Sequence, residues 1–228
     1  EIKNKNIIEI GPGNGALTEN LLNQNPKTLN LIEKDNFFAE KLKKKYSSSK
    51  IVKIYNLDVL KFNIERIIKK NTVIFGNLPY NISSQILVKI LRIKNQPTKY
   101  KNIIFMFQKE LGEKISSTFP NKNYGRLSIM IQAYTSVKKH FDISPSLFEP
   151  KPKIYSSLIT LKPKSHIILN KILFNQIVKK AFQKRRKILK NSLINFLTND
   201  QIKTYGHLRP DAISVNDFIK ISDSCIKE

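Results

Sequence analysis

An α/β fold built on a parallel sheet, followed by a small all-helical domain, is what this sequence predicts, on three observations. Up to about residue 110, short apolar strands alternate with helical stretches, the pattern of βαβ units. A glycine-rich turn, Gly11-Pro12-Gly13-Asn14-Gly15, separates the first strand from the first helix. After Lys162-Pro163 the strand signal stops, and apolar residues recur at helix spacing.

Taken in order, Asn6 to Ile10, Leu29 to Glu33, Ile51 to Tyr55, Thr72 to Phe75 and Ile103 to Gln108 read as strands. Ala16 to Asn23, Phe37 to Tyr46, Asn63 to Lys69 and Ile82 to Leu91 read as the helices between them. Lys138 to Ile143 and Tyr155 to Leu161 look like two more strands, parted by the proline-rich Ser144 to Pro152, and are expected to add a hairpin at the sheet edge. Val178, Ala181, Phe182, Ile188, Leu189, Leu193, Phe196 and Leu197 form an apolar stripe in the last part of the chain. The expected division is therefore residues 1–164 for the sheet domain and 165–228 for the helical one.

Composition narrows the function classes. The one cysteine, Cys225, cannot pair within the chain, and His140, His166 and His207 lie far apart, so neither a disulfide nor a metal site is expected. No stretch approaches a membrane span, and a cytoplasmic monomer is expected. Glu1 is not an initiator Met and the first strand starts almost at once, so an N-terminal piece is expected to be missing. Forty-one Lys and Arg against 17 Asp and Glu leave a net charge of +24, which favours a polyanion through phosphate contacts. The excess of Lys, Asn and Ile is also what A/T-rich codons would produce, so the placement of charge says more than its amount. Lys179, Lys180, Lys184, Arg185, Arg186, Lys187 and Lys190 fall in one run with no acidic residue, expected on the first long helix of the second domain. A cationic face above an apolar stripe suits a phosphate backbone; a merely solvated face is the plainer alternative.

Gly11, Gly13 and Gly15 let the backbone turn tightly beside a ligand, the loop of a nucleotide cofactor in a Rossmann-like sheet. Glu33, ending the second strand, is placed for ribose hydroxyls, which suits NAD and S-adenosylmethionine equally. Asp58, just past the third strand, can accept from an adenine amino group or cap the next helix.

The fourth strand ends in Gly76-Asn77-Leu78-Pro79-Tyr80. Taken alone, this cluster reads as a turn. Delivered to the same sheet edge, it fits methylation of an exocyclic adenine amine. The lone pair of that nitrogen is delocalised into the ring, so the amine must be drawn toward tetrahedral geometry. The Asn77 side-chain oxygen and the Leu78 carbonyl can accept its two hydrogens, with Pro79 restricting the residue before it. Tyr80 offers a face for an extruded base, a contact worth about 1–3 kcal/mol.

The quoted segments EIGPGNGALT, IEKD, FGNLPYNIS, MFQKE, YGRLSIM, SLFEPKPKI, AFQKRRKILKNSL and DAISVNDFIKIS resemble, in order and nearly end to end, those of the ribosomal RNA adenine dimethylases of KsgA type. The resemblance implies a Rossmann-like S-adenosylmethionine-dependent methyltransferase sheet with a helical rRNA-binding domain. It implies dimethylation of two adjacent adenines near the 3′ end of small-subunit (16S) rRNA, within a pre-30S particle. It further implies that Gly11, Gly13 and Gly15 line the methionine end of the cofactor, Glu33 its ribose and Asp58 its adenine. Glu9, Lys34, Val59 and Asn77 complete the expected cofactor set. Asn77, Leu78, Pro79 and Tyr80 would hold the target base, and Phe148 resembles the second stacking aromatic, although a core anchor beneath a proline-rich loop is its plainer reading.

Family members normally begin with a basic segment carrying a Gln-Asn-Phe-Leu type motif, which this chain lacks, so weak cofactor affinity or an open site is expected. Four other readings remain at this point. They are a large-subunit adenine methyltransferase of the antibiotic-resistance type, a DNA adenine methyltransferase, a non-catalytic assembly factor, and an NAD-dependent oxidoreductase allowed by the glycine loop alone.

Overall fold

A computed structural model describes residues 2–93, 99–149, 151–165 and 168–225. Pro150 and His166, both within segments considered above, lie outside the described residues.

Seven strands form one sheet: β1 (Asn6–Ile10), β2 (Thr28–Glu33), β3 (Val52–Asn56), β4 (Thr72–Asn77), β5 (Tyr100–Gln108), β6 (Thr135–Ile143) and β7 (Ser156–Pro163). Their order is β3-β2-β1-β4-β5-β7-β6. The first five run parallel, whereas β7 pairs antiparallel with β5 and β6 lies outside it. The chain winds from β1 to β3 on one side, then crosses to place β4 on the other flank of β1. The carboxyl ends of β1 and β4 therefore meet at a topological switch point, where open α/β sheets bind ligands.

β1 reads Asn-Ile-Ile-Glu-Ile and β2 ends in Leu-Ile-Glu, apolar runs buried on both faces, as parallel strands covered by helices must be. Helices α1 (Ala16–Leu22) and α2 (Asn36–Lys45) supply Leu21 and Leu42 to a core shared with Ile7, Leu29, Leu31 and Val73. Asp35 caps α2 by accepting from the backbone of Phe37 and Phe38. After β4 comes α3 (Tyr80–Leu91), which begins directly at Tyr80.

The structure departs from the sequence expectation in three places. The helix expected over Asn63 to Lys69 is only a 3-10 turn at Ile64–Arg66. Two consecutive β-branched residues, Ile67 and Ile68, weaken a helix there, and the Thr72 hydroxyl ties back to both the N–H and the carbonyl of Lys69, turning the chain into β4. Second, residues 109–137, to which the sequence reading assigns no element, contribute α4 (Lys109–Ser116) and α5 (Arg126–Gln132).

Third, the compact units are residues 1–112 with 138–163, and 113–137 with 164–228. The turn of the chain near residue 164 is where the second unit resumes, but residues 113–137, assigned by sequence to the sheet domain, pack in the helical unit. Tyr124, Ile129 and Ala133 share its core with Phe174, Val178, Leu193 and Phe218, and the Tyr124 hydroxyl donates to the Ile213 carbonyl at 3.0 Å. Contacts between residues so distant in sequence leave no local signal. The helical unit continues through α6 (Lys171–Gln183), α7 (Leu189–Leu193), α8 (Asn199–Tyr205) and α9 (Val215–Ser224). Among the described residues, no helix is long and apolar enough to cross a membrane.

Candidate active site

The glycine loop leaves β1 with Gly11, Gly13 and Gly15 at φ of 68°, 54° and 83°, a region in which other residues are strained. Two of them matter for space as well. A Cβ on Gly11 would come within 3.7 Å of the Asn77 carbonyl, so the loop runs against the tip of β4. A Cβ on Gly13 would meet nothing within 4 Å, which leaves open room beside the loop.

Three carboxylates lie in or just beyond the carboxyl ends of β1, β2 and β3. Glu33, buried at the end of β2, accepts from the Gly13 N–H at 3.0 Å and from the Asp35 N–H at 2.8 Å. It thereby sets the curvature of the loop while each oxygen keeps a further lone pair. Asn56, at the end of β3, donates to the Glu33 carbonyl at 3.2 Å and steadies that strand end. Glu9 is only 1% exposed and accepts from the Thr18 hydroxyl at 2.7 Å. Burial pushes its carboxyl up to about 7 against the lowering effect of Thr18, with the neighbouring Glu33 adding to the rise. Asp58 accepts from the Leu60 N–H at 2.8 Å and pairs with Lys34 at 3.1 Å. The Leu60 amide, and after it Lys34, hold this carboxyl below its ordinary value. Val59 beside it is buried.

β4 runs further than its apolar core, ending at Asn77, which lies opposite Met106 of β5. Leu78 is buried and anchors the tip, whereas Asn77 and Pro79 are exposed. Among the described residues, nothing hydrogen-bonds to the Asn77 side chain. Pro79 precedes α3 with an extended ψ of 132°, and its carbonyl accepts from the Ser83 N–H at 3.1 Å. Tyr80, half-buried, has its hydroxyl 2.8 Å from the Ser156 Oγ on β7. The structure thus brings Gly11, Gly13, Gly15, Glu9, Glu33, Lys34, Asp58, Val59 and the Asn77 to Tyr80 tip to the carboxyl edge of one sheet.

Phe148 closes the 3-10 turn Pro145–Leu147 in the β6–β7 loop, half-buried, and no ring pairing links it to Tyr80 among the described residues. Sequence reasoning missed Thr18 and Ser156. The signal for Ser156 is a pair of serines, both fully buried, opening the otherwise apolar strand Ser-Ser-Leu-Ile-Thr-Leu.

The seven basic residues from Lys179 to Lys190 are exposed, but they do not share one helix. α6 ends at Gln183, and Lys184–Ile188 form a turn before α7. The Leu189 and Lys190 N–H groups donate to Leu208 and Gly206, so tertiary bonds redirect the backbone that a continuous helix would have used. Lys184, Arg185, Arg186 and Lys187 line a recess of ≈ 650 Å³ with Phe182, Gln183 and Asn191. Arg185 also pairs with Asp211 at 3.3 Å.

A sequence profile of the ribosomal RNA adenine dimethylase family matches residues 2–222. A protein of Pelagibacter ubique named ribosomal RNA small subunit methyltransferase A is 39% identical, over 97% of this chain and 86% of its own length. The crystal structure of a dimethyladenosine transferase from Plasmodium falciparum superimposes with a TM-score of 0.81 at 26% identity, covering 96% of this chain and 90% of that one. That of the 23S rRNA methyltransferase ErmE does so with 0.78 at 19% identity, covering 98% and 92%, a likeness of fold alone.

Proposed function

This chain belongs to the ribosomal RNA adenine dimethylase family, and from that premise we propose that it transfers methyl groups from S-adenosylmethionine to N6 of two adjacent adenines near the 3′ end of small-subunit rRNA. The observation that carries this reading is the close approach of the glycine loop to the tip of β4, where a Cβ on Gly11 would lie 3.7 Å from the Asn77 carbonyl; it puts a candidate cofactor cradle beside an exposed side-chain amide that has no partner among the described residues.

The residues present fit the cofactor. The open space at Gly13, the buried Glu33 and the Asp58 carboxylate lie at successive strand ends, suited in turn to a methionine moiety, a ribose and an adenine. Glu9 beside the loop suits an ammonium group, whose charge would offset the cost of its burial. When bound, S-adenosylmethionine supplies an electrophilic methyl group on a sulfonium.

The chain's own residues do the rest. Asn77 Oδ1 and the Leu78 carbonyl accept the two amine hydrogens and draw the nitrogen out of conjugation, so that its lone pair becomes available. Tyr80 stacks on the extruded base and offsets the few kcal/mol that extraction costs. Phe148 closes on the base from the β6–β7 loop. Holding donor and acceptor in line supplies most of the acceleration. In the helical unit, the exposed run Lys179 to Lys190 and its recess bind the rRNA backbone, because cations clustered at a turn can each take a phosphate. The small subunit is chosen as substrate because the relative at 39% identity carries that name.

Mass spectrometry of under-methylated small subunits incubated with the protein and S-adenosylmethionine tests the proposal. Dimethyladenine at two neighbouring positions is the expected result. Modification of large-subunit rRNA alone, or of duplex DNA in preference to rRNA, would overturn it.

A further inference from the structure

We propose that Ser156 is a positioning residue for the base platform, its hydroxyl holding the Tyr80 phenol at the place where a stacked adenine needs it. The inference rests on the stacking role given to Tyr80 above.

Ser156 is fully buried, yet its Oγ lies 2.8 Å from the Tyr80 hydroxyl. A buried hydroxyl without a partner is unfavourable, so the pair is built rather than incidental. Both ends of the link differ in freedom. Ser156 sits opposite Gln108 in the β5–β7 ladder, and the adjoining Tyr155 carbonyl accepts from the Lys109 N–H at 2.9 Å, so the serine backbone is pinned. Tyr80, by contrast, opens α3, and its ring is half-exposed. Among the described residues, the Ser83 hydroxyl donates to the Tyr80 backbone carbonyl and not to its side chain. Fixing the phenol oxygen restrains the first side-chain torsion, which swings the ring in and out of place, whereas the second turns the ring about an axis through that oxygen; the tether therefore removes part of the freedom that would otherwise be lost when a base stacks.

The next residue shows that burial alone does not explain this contact. Ser157, equally buried, points to the opposite face, as alternation along a strand requires, and donates to Asp142 at 2.5 Å. Asp142 also takes Lys139 at 2.8 Å and Lys109 at 3.4 Å. One serine thus knits the sheet edge together, while its neighbour reaches the residue after Pro79. The antiparallel end of the sheet thereby acquires a part in the chemistry at β4.

Steady-state methylation of under-methylated small subunits, read as kcat and as KM for the cofactor, tests this. Ser156→Ala and Tyr80→Phe should each lower kcat about 5-fold, within the range of one hydrogen bond, with the cofactor KM unchanged. The double variant should be no slower than either single one, because both delete the same link. Ser156→Thr should restore the rate, and Ser157→Ala should alter thermal stability but not kcat.

A double variant whose loss equals the product of the single losses overturns the proposal. So does a Ser156→Ala effect that persists unchanged in a Tyr80→Ala background. Should Ser156→Ala fail to fold, Tyr80→Phe must still show the loss of kcat, and a wild-type rate there overturns it. If Tyr80→Ala itself keeps full kcat, the stacking role fails. If Tyr80→Ala is slow while Tyr80→Phe and Ser156→Ala match wild type, only the tether does.

Discussion

The two halves of the carboxyl edge are finished to different degrees. On the cofactor side, Glu33, Asp58 and Glu9 already accept from Gly13, Asp35, Leu60, Thr18 and Lys34, so the acids are held in place before any ligand arrives. On the side proposed for the base, the Asn77 side-chain amide has no partner among the described residues, whereas Leu78 is buried and the Tyr80 hydroxyl is tethered. Carboxylates repel one another and must be restrained by donors, whereas a neutral amide can wait in water at little cost. On the proposed assignment, the contrast implies that the cofactor half is pre-organised by hydrogen bonds within the chain, while the base half is completed by its substrate.

The largest effect is expected where no protein group can substitute. Asn77→Ala should lower methyl transfer by about 100-fold or more, the scale of losing one preorganised group at a reacting centre, while rRNA binding stays near normal. Methyl incorporation measured alongside filter binding checks both, and unchanged turnover would remove the contrast altogether.

Glu9 sharpens the comparison from the cofactor side. Its native carboxyl titrates near 7 rather than at 4.5, so between those values the folded protein binds more protons than the unfolded chain. The stabilisation is complete below about pH 4.5 and is lost as pH rises through 7, a change on the order of 3 kcal/mol. Urea unfolding of the cofactor-free protein at stepped pH should show that decline, and Glu9→Gln should flatten it. Bound cofactor should reduce the slope, because an ammonium beside Glu9 favours the charged form.

A smaller effect is expected at Glu33. Glu33→Gln keeps one acceptor for the loop but loses the charge, and S-adenosylmethionine affinity should fall about tenfold in a calorimetric titration. Because Asn77 does not touch Glu33, kcat at saturating cofactor should change far less than KM. Equal losses in both would mean that the two halves are coupled.

Much of this arrangement is legible in the residues themselves. The strands containing Ile7, Leu31 and Ile74 announce themselves as apolar runs, and the glycines declare a turn that other residues would strain. Asn77, Pro79 and Tyr80 read locally as a turn, and are visible as candidate site residues because the fourth strand delivers them to the same sheet edge as the glycine loop. Thr18 is not legible, since a buried hydroxyl looks like any threonine until its partner is found, and the two serines that open an apolar strand mark Ser156 as unusual without saying what it meets. The bend after Gln183 was hidden for a related reason, as the apolar stripe through Val178, Leu189 and Leu193 keeps helix spacing across a turn that Leu208 and Gly206 impose from elsewhere.

By itself, then, the sequence determined the five parallel strands, the glycine loop and the break in the chain at the tip of β4, because each rests on the intrinsic preferences of neighbouring residues. Tertiary structure alone decided that residues 113–137 join the helical unit, that Glu33 anchors the Gly13 turn, and that Ser156 reaches Tyr80. Those outcomes depend on which hydrogen-bonding groups burial brings together across long stretches of chain, a choice settled by the packing of the whole and recorded in no local pattern.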